Sequence, residues 1–125
     1  MTIACRRKPW IMAAIHDAVV ALDVQSAFAE AGFDYVSYDP DLVSAPSEGA
    51  LDDCSLVLLD QDFGWAQLKP LAEKARADRV PALILMYDEN DRSIPAELSR
   101  AARLAKPFDT EKLVESMRRV SQAAP

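Results

Sequence analysis

Leu56-Val-Leu-Leu-Asp60 is an unbroken apolar run that stops on a carboxylate. Such a run reads as a strand buried on both faces, because a strand with one wet face alternates apolar and polar residues. Four further runs punctuate the chain: Trp10-Ile-Met-Ala-Ala-Ile15, Tyr35-Val-Ser-Tyr38, Ala82-Leu-Ile-Leu-Met86 just after Pro81, and the brief Ala102–Ala105. Between them, apolar residues recur at helical spacing. Val20, Val24, Ala27, Phe28 and Ala31 precede the stop signal Gly32, and Leu68, Leu71, Ala72 and Ala75 follow the third run. Leu113, Val114, Met117 and Val120 line one face of a last helix, for which Asp109 is the expected N-cap. Pro40, Pro46 and Gly49 leave room for at most a short second helix near residues 41–45. The polar segment 88–100, with Pro95 in it, supports one or two turns near 96–100.

Five alternations of strand and helix imply an α/β fold, a parallel sheet with helices on both sides. A chain of 125 residues is expected to form a single domain over 1–125, with 1–8 as an N-terminal arm. In such sheets functional groups gather beyond the carboxyl ends of the strands. Those positions hold Ile15, His16 and Asp17 after the first strand, Asp60 and Asp62 after the third, Met86 and Tyr87 after the fourth, and Lys106 after the fifth.

Half the residues are hydrophobic and 27% are charged, which suits a packed globule. The formal net charge of -6 repels phosphate backbones and argues against nucleic-acid binding as the main activity. The basic cluster Arg6-Arg7-Lys8 reads as part of a solvated arm. Cys5 and Cys54 are too few for a disulfide framework or a metal site and are expected to be reduced thiols. No stretch is long enough to span a bilayer, and the apolar run from Trp10 to Ile15 is too short for the core of a signal peptide. The expected location is the cytoplasm.

Ala18-Val-Val-Ala-Leu-Asp-Val24, Glu30-Ala-Gly-Phe33, Leu56-Val-Leu-Leu-Asp60, Val80-Pro81 and Lys106-Pro-Phe-Asp109 stand in one order along the chain. Together they resemble the response-regulator receiver domains of two-component signalling, the CheY-like type, over Trp10 to about Val120. The resemblance implies a flavodoxin-like, doubly wound (βα)5 sandwich of three layers. Its five parallel strands run in the order 2-1-3-4-5, here with the second and fourth helices shortened.

In that family a histidine kinase donates a phosphoryl group to the aspartate that ends the third strand, by position Asp60. The chemistry needs a carboxylate nucleophile, a divalent cation and a lysine on the phosphoryl oxygens, and a hydroxyl that reads the new phosphate. The resemblance makes Asp60 the phosphoacceptor position, Lys106 the phosphate contact and Pro107 a cis-proline. It also places the backbone carbonyl of Asp62 in the metal shell.

The departures are as informative. Two acidic residues are expected after the first strand, and Ile15 and His16 stand there. Isoleucine cannot ligate Mg²⁺, and neutral imidazole is a poor ligand for it. Met86 replaces the phosphate-reading hydroxyl, Tyr87 replaces a small residue that leaves the site open, and Arg103 replaces an aromatic switch. Loss of carboxylates from a cation site costs several kcal/mol at low dielectric and less where water enters. Asp17 and Asp62 are the candidates to compensate, so a metal set of Asp60, Asp62 and Asp17 is expected to be weak or absent. No other cofactor is implied.

The expected function is a non-enzymatic signalling module, a degenerate receiver that docks a histidine kinase or an output protein. In it Asp60 and Lys106 form a standing ion pair, and Mg²⁺-dependent phosphorylation is impaired. The alternative is a receiver that still accepts phosphate on Asp60. A remoter one rests on Asp60-Gln-Asp62, which is similar to the first motif of haloacid-dehalogenase phosphohydrolases; the chain is too short for the usual cap and offers no later acidic pair. His16, the single histidine, reads as a hydrogen-bonded side chain, with a titrating switch as the alternative. Trp10 and Trp65 read as core or rim packing.

Overall fold

The computed structural model of the chain describes residues 9–42, 46–88 and 90–123. The N-terminal arm with Cys5, and part of the expected second helix, lie outside the described residues.

Five strands form one sheet: β1 Trp10–Ala14, β2 Asp34–Ser37, β3 Cys54–Asp60, β4 Ala82–Met86 and β5 Ala102–Ala105. All pairings are parallel, and the order is β2-β1-β3-β4-β5. Among the described residues three α-helices pack on it, α1 Ala18–Glu30, α2 Trp65–Ala77 and α3 Thr110–Ala123. The alternation of elements predicts the parallel sheet, and the family resemblance implies this doubly wound, flavodoxin-like strand order. Of the short helix allowed near 41–45, residues 41 and 42 lie in a turn and 43–45 lie outside the described residues, while 48–53 also form turns. The fourth helix is a single 3-10 turn, Ala96–Leu98, entered through Pro95. Proline lacks the amide that a longer helix would need there.

The unbroken apolar strands are explained by the two faces of the sheet. Ile11, Ala13, Leu56, Leu58, Leu83, Leu85 and Leu104 point to one side and meet Val24 and Phe28 of α1 and Leu113 and Met117 of α3. Met12, Ala14, Val57, Leu59, Ile84 and Met86 point to the other and meet Leu68, Leu71, Ala72 and Ala75 of α2. Leu51 and Leu98, from the non-helical segments, complete that second layer. Each fully buried leucine contributes about 1.5–3 kcal/mol relative to an exposed one, so both layers are needed to hold the strand ends in place.

Helix ends set the site's frame. Asp17 caps α1, its carboxylate accepting from the amides of Val19 and Val20. The same helix closes at Gly32, φ 91°, with Phe33 N bonded to Phe28 O at 2.9 Å and Gly32 N to Ala29 O at 3.1 Å. That pairing is a Schellman closure, and the Phe28–Phe33 contact seals it. Asp109 accepts from Lys112 N at 2.7 Å and begins α3 as expected. Gly64, φ 84°, turns the chain from the 3-10 segment Gln61–Phe63 into α2, a backbone shape that a residue with a Cβ resists. Among the described residues no helix is long and apolar enough to cross a membrane.

Candidate functional site

The carboxyl ends of β1, β3, β4 and β5 meet around Asp60, whose surface is 1% exposed. A buried carboxylate must have its oxygens satisfied. Asp60 Oδ2 accepts from His16 N at 2.9 Å, and Oδ1 accepts from Asp62 N at 3.0 Å and from Lys106 Nζ at 2.5 Å. Lys106 reaches it because β5 ends beside β4, with Lys106 N bonded to Met86 O at 2.7 Å. The Lys106–Pro107 peptide is cis.

Lys106 bridges two acids. Its ammonium also lies 3.0 Å from Asp62 Oδ2, and the Tyr87 phenol donates to that same oxygen at 3.0 Å. The Tyr87 ring centroid stands 5.2 Å from Lys106 Nζ, within cation–π range. These groups share a cavity of about 310 Å³ with Asp17, Asp23 and the apolar Val20, Val24 and Phe108. A larger groove, between α1 and α3, lies away from the strand ends.

The electrostatics follow from the contacts. Partial burial works against a charged Lys106, but its hydrogen bonds to Asp60 and Asp62 and their negative charges outweigh this and raise its pKa. Slight desolvation pushes the Asp62 carboxyl up. Hydrogen bonds from Lys106 and Tyr87, with the charges at Lys106 and His16, overcome that and hold it below the usual carboxylate value. The bond to Asp62 is the main cause that raises the Tyr87 phenol.

Of the residues singled out in the sequence, Asp60, Asp62, Lys106 and Tyr87 converge. His16 contributes its backbone amide, while its exposed ring packs edge-on against Phe63 at 5.1 Å. Ile15 falls just past β1, and its side chain enters the core under α1 and α3. Met86 is fully buried on the opposite face, against the α2 layer. Asp17 lines the cavity but spends one oxygen on its helix cap. Arg103 turns to the loop between β4 and β5 and donates to Asp91 O at 2.9 Å. Trp10 and Trp65 both pack at the rim of the α2-side core.

Gln61 and Asp91 were not singled out from the sequence. Gln61 accepts from Tyr87 N and donates to Asp91 Oδ2, each at 3.4 Å, tying that loop to the residue after Asp60. Asp91 with Ser93 two positions on is a legible turn signal. The pairing with Gln61 across 30 residues has no local signal.

No protein-family model matches the sequence, and no curated protein does. Solved structures do. The chemotaxis protein CheY4 of Vibrio cholerae superposes with a TM-score of 0.72 at 17% identity, over 91% of this chain and 99% of that one. A CheY-like response regulator receiver domain protein from Methanospirillum hungatei gives 0.66 at 22% identity, over 94% and 95%. The receiver domain of the sensor histidine kinase PA1611 from Pseudomonas aeruginosa gives 0.74 at 18%, over 94% and 100%. The fold is that of the receiver domains.

The PA1611 receiver structure has a magnesium ion coordinated in its active-site cleft. In the present chain Asp60 and Asp62 face the cavity with Asp17 and Asp23, and Lys106 bonds to the first two, its single positive charge shared between them. Among the described residues, no three His, Cys, Asp or Glu side chains are grouped to hold a metal ion. As arranged, this donor set does not fit a hard divalent cation that wants about six oxygens.

Proposed function

We propose that the chain is a two-component signalling module that works by protein docking, with its phosphoacceptor position held in a standing ion pair. The observation that carries this reading is the set of three hydrogen bonds that hold Asp60. Both oxygens are engaged, by two backbone amides and by Lys106, and the lysine is shared with Asp62. Hydrogen bonds to both oxygens and the adjacent ammonium draw charge from the carboxylate and weaken it as a nucleophile, and attack on phosphorus also calls for a cation to neutralise the incoming oxygens. Met86 supplies no hydroxyl to read a phosphate, and Arg103 is committed to the loop carbonyl of Asp91. The partner on this reading is a histidine kinase or an output protein, and the module performs no turnover of its own.

A second reading, a receiver that accepts phosphate on Asp60, is favoured by one observation: Asp62 directs its carboxylate into the site and provides a second acid there. Beryllofluoride titration with Mg²⁺, followed by NMR, separates the two. The docking reading expects the amides of His16, Asp60 and Asp62 to stay in place. Saturable shifts at those residues, spreading to Met86 and Arg103, would sink it.

A further inference from the structure

Tyr87 is 63% exposed, yet it is held at three points. Its phenol donates to Asp62 Oδ2 at 3.0 Å, its ring stands 5.2 Å from the Lys106 ammonium, and its amide donates to Gln61 Oε1 at 3.4 Å. Gln61 and Asp62 directly follow Asp60, so the tyrosine is tied to both residues beyond the acceptor-position carboxylate. It also forms part of the wall of the Asp60 cavity.

We infer that Tyr87 is a gate on this cavity, a positioning residue that locks Lys106 between Asp60 and Asp62 and withholds both carboxylates from cations. The inference rests on the reading of the site as closed and names what closes it. An exposed ion pair alone holds its partners weakly. Here the phenol bonds the same Asp62 oxygen that the ammonium uses, and the ring stands within cation–π range of that ammonium. A charge-assisted hydrogen bond and a cation–π contact on the same two groups leave them one arrangement instead of several. With the tyrosine removed, Asp62 is free to swing, Lys106 can follow it, and two carboxylates become available to an oxygen-seeking cation.

The probe is Mg²⁺ alone, titrated into wild type, Tyr87→Phe and Tyr87→Ala by calorimetry and by NMR of the Lys106 ammonium. The side chain is exposed, so neither substitution removes core packing, and an unchanged thermal midpoint confirms it. Tyr87→Ala is expected to bind Mg²⁺ about tenfold tighter than wild type, the scale of one lost hydrogen bond to a charged group. Tyr87→Phe, which keeps the ring and loses the hydroxyl, falls between. The ammonium protons exchange faster in the same order. Equal affinities across the three proteins, or no binding in any with the Lys106 signal unchanged, would overturn the gate. Tight binding to wild type contradicts the closed-site reading instead, and the gate is then judged by the ratio of Tyr87→Ala to wild type.

Discussion

Asp60 is almost sealed from solvent, and a carboxylate in that setting is tolerated only while its donors remain. Lys106→Met keeps much of the side-chain volume and removes the ammonium, leaving Asp60 with two backbone donors. The expected cost is about 3–5 kcal/mol, toward the lower end because the lysine keeps some solvent contact. Urea denaturation at pH 7 reads it as a lower midpoint with an unchanged slope. The pH dependence divides between the two partners. Asp62 has a folded pKa below its ordinary 3.8, so its contribution is present above that value and is lost as pH falls through the folded one. Lys106 has a folded pKa above its ordinary 10.5, so its contribution is full below that value and is lost as pH rises through the folded one. Stability is therefore expected to be flat near neutrality. Asp62→Asn should soften the acid limb and Lys106→Met the alkaline limb; limbs unchanged in both variants would contradict the bridging role of Lys106.

At the scale of elements, the turn between β1 and α1 divides labour that the sequence leaves ambiguous. His16 and Asp17 both follow a strand that points at Asp60, and either could serve the site. The structure gives Asp17 to the helix: it is an N-cap, with Oδ1 2.8 Å from Val19 N. Asp17→Ala is expected to cost about 1 kcal/mol of stability, as lost N-caps do. The resonances of Asp60 and Lys106 should stay in place. A large shift at Lys106 with no loss of stability would mean that Asp17 serves the cavity and not the helix. The strands were the legible elements because apolar runs have a strong period signal. β4 and β5 have the bounds read from the sequence, whereas β2 begins one residue early and leaves buried Tyr38 outside it. The segments after β2 and after β4 are legible only as weak helices. Pro40, Pro46, Gly49 and Pro95 mark where a helix fails but not which turns replace it.

For the molecule as a whole, the sheet order brings the ends of β3 and β5 to the same edge with β4 between them. The family resemblance pairs Asp60 with Lys106 although they are 46 residues apart, and this strand order is what brings them together. The Asp62–Tyr87 clasp could not be read from the sequence, because it depends on how the 3-10 turn after β3 aims one side chain. Ile15 and Met86 stand where the resemblance expects an acid and a hydroxyl, and both are core residues, buried on opposite faces of the sheet. On the proposed reading the receiver fold and a receiver's reactivity separate, the first resting on two packed layers and the second on a few groups at one rim. The measurement that bears most directly on this separation is incubation with a small acyl-phosphate donor, with and without Mg²⁺, followed by intact mass. No stoichiometric phosphoryl adduct is expected in either condition; a stoichiometric, Mg²⁺-dependent adduct that vanishes in Asp60→Ala would mean that Asp60 is a working phosphoacceptor.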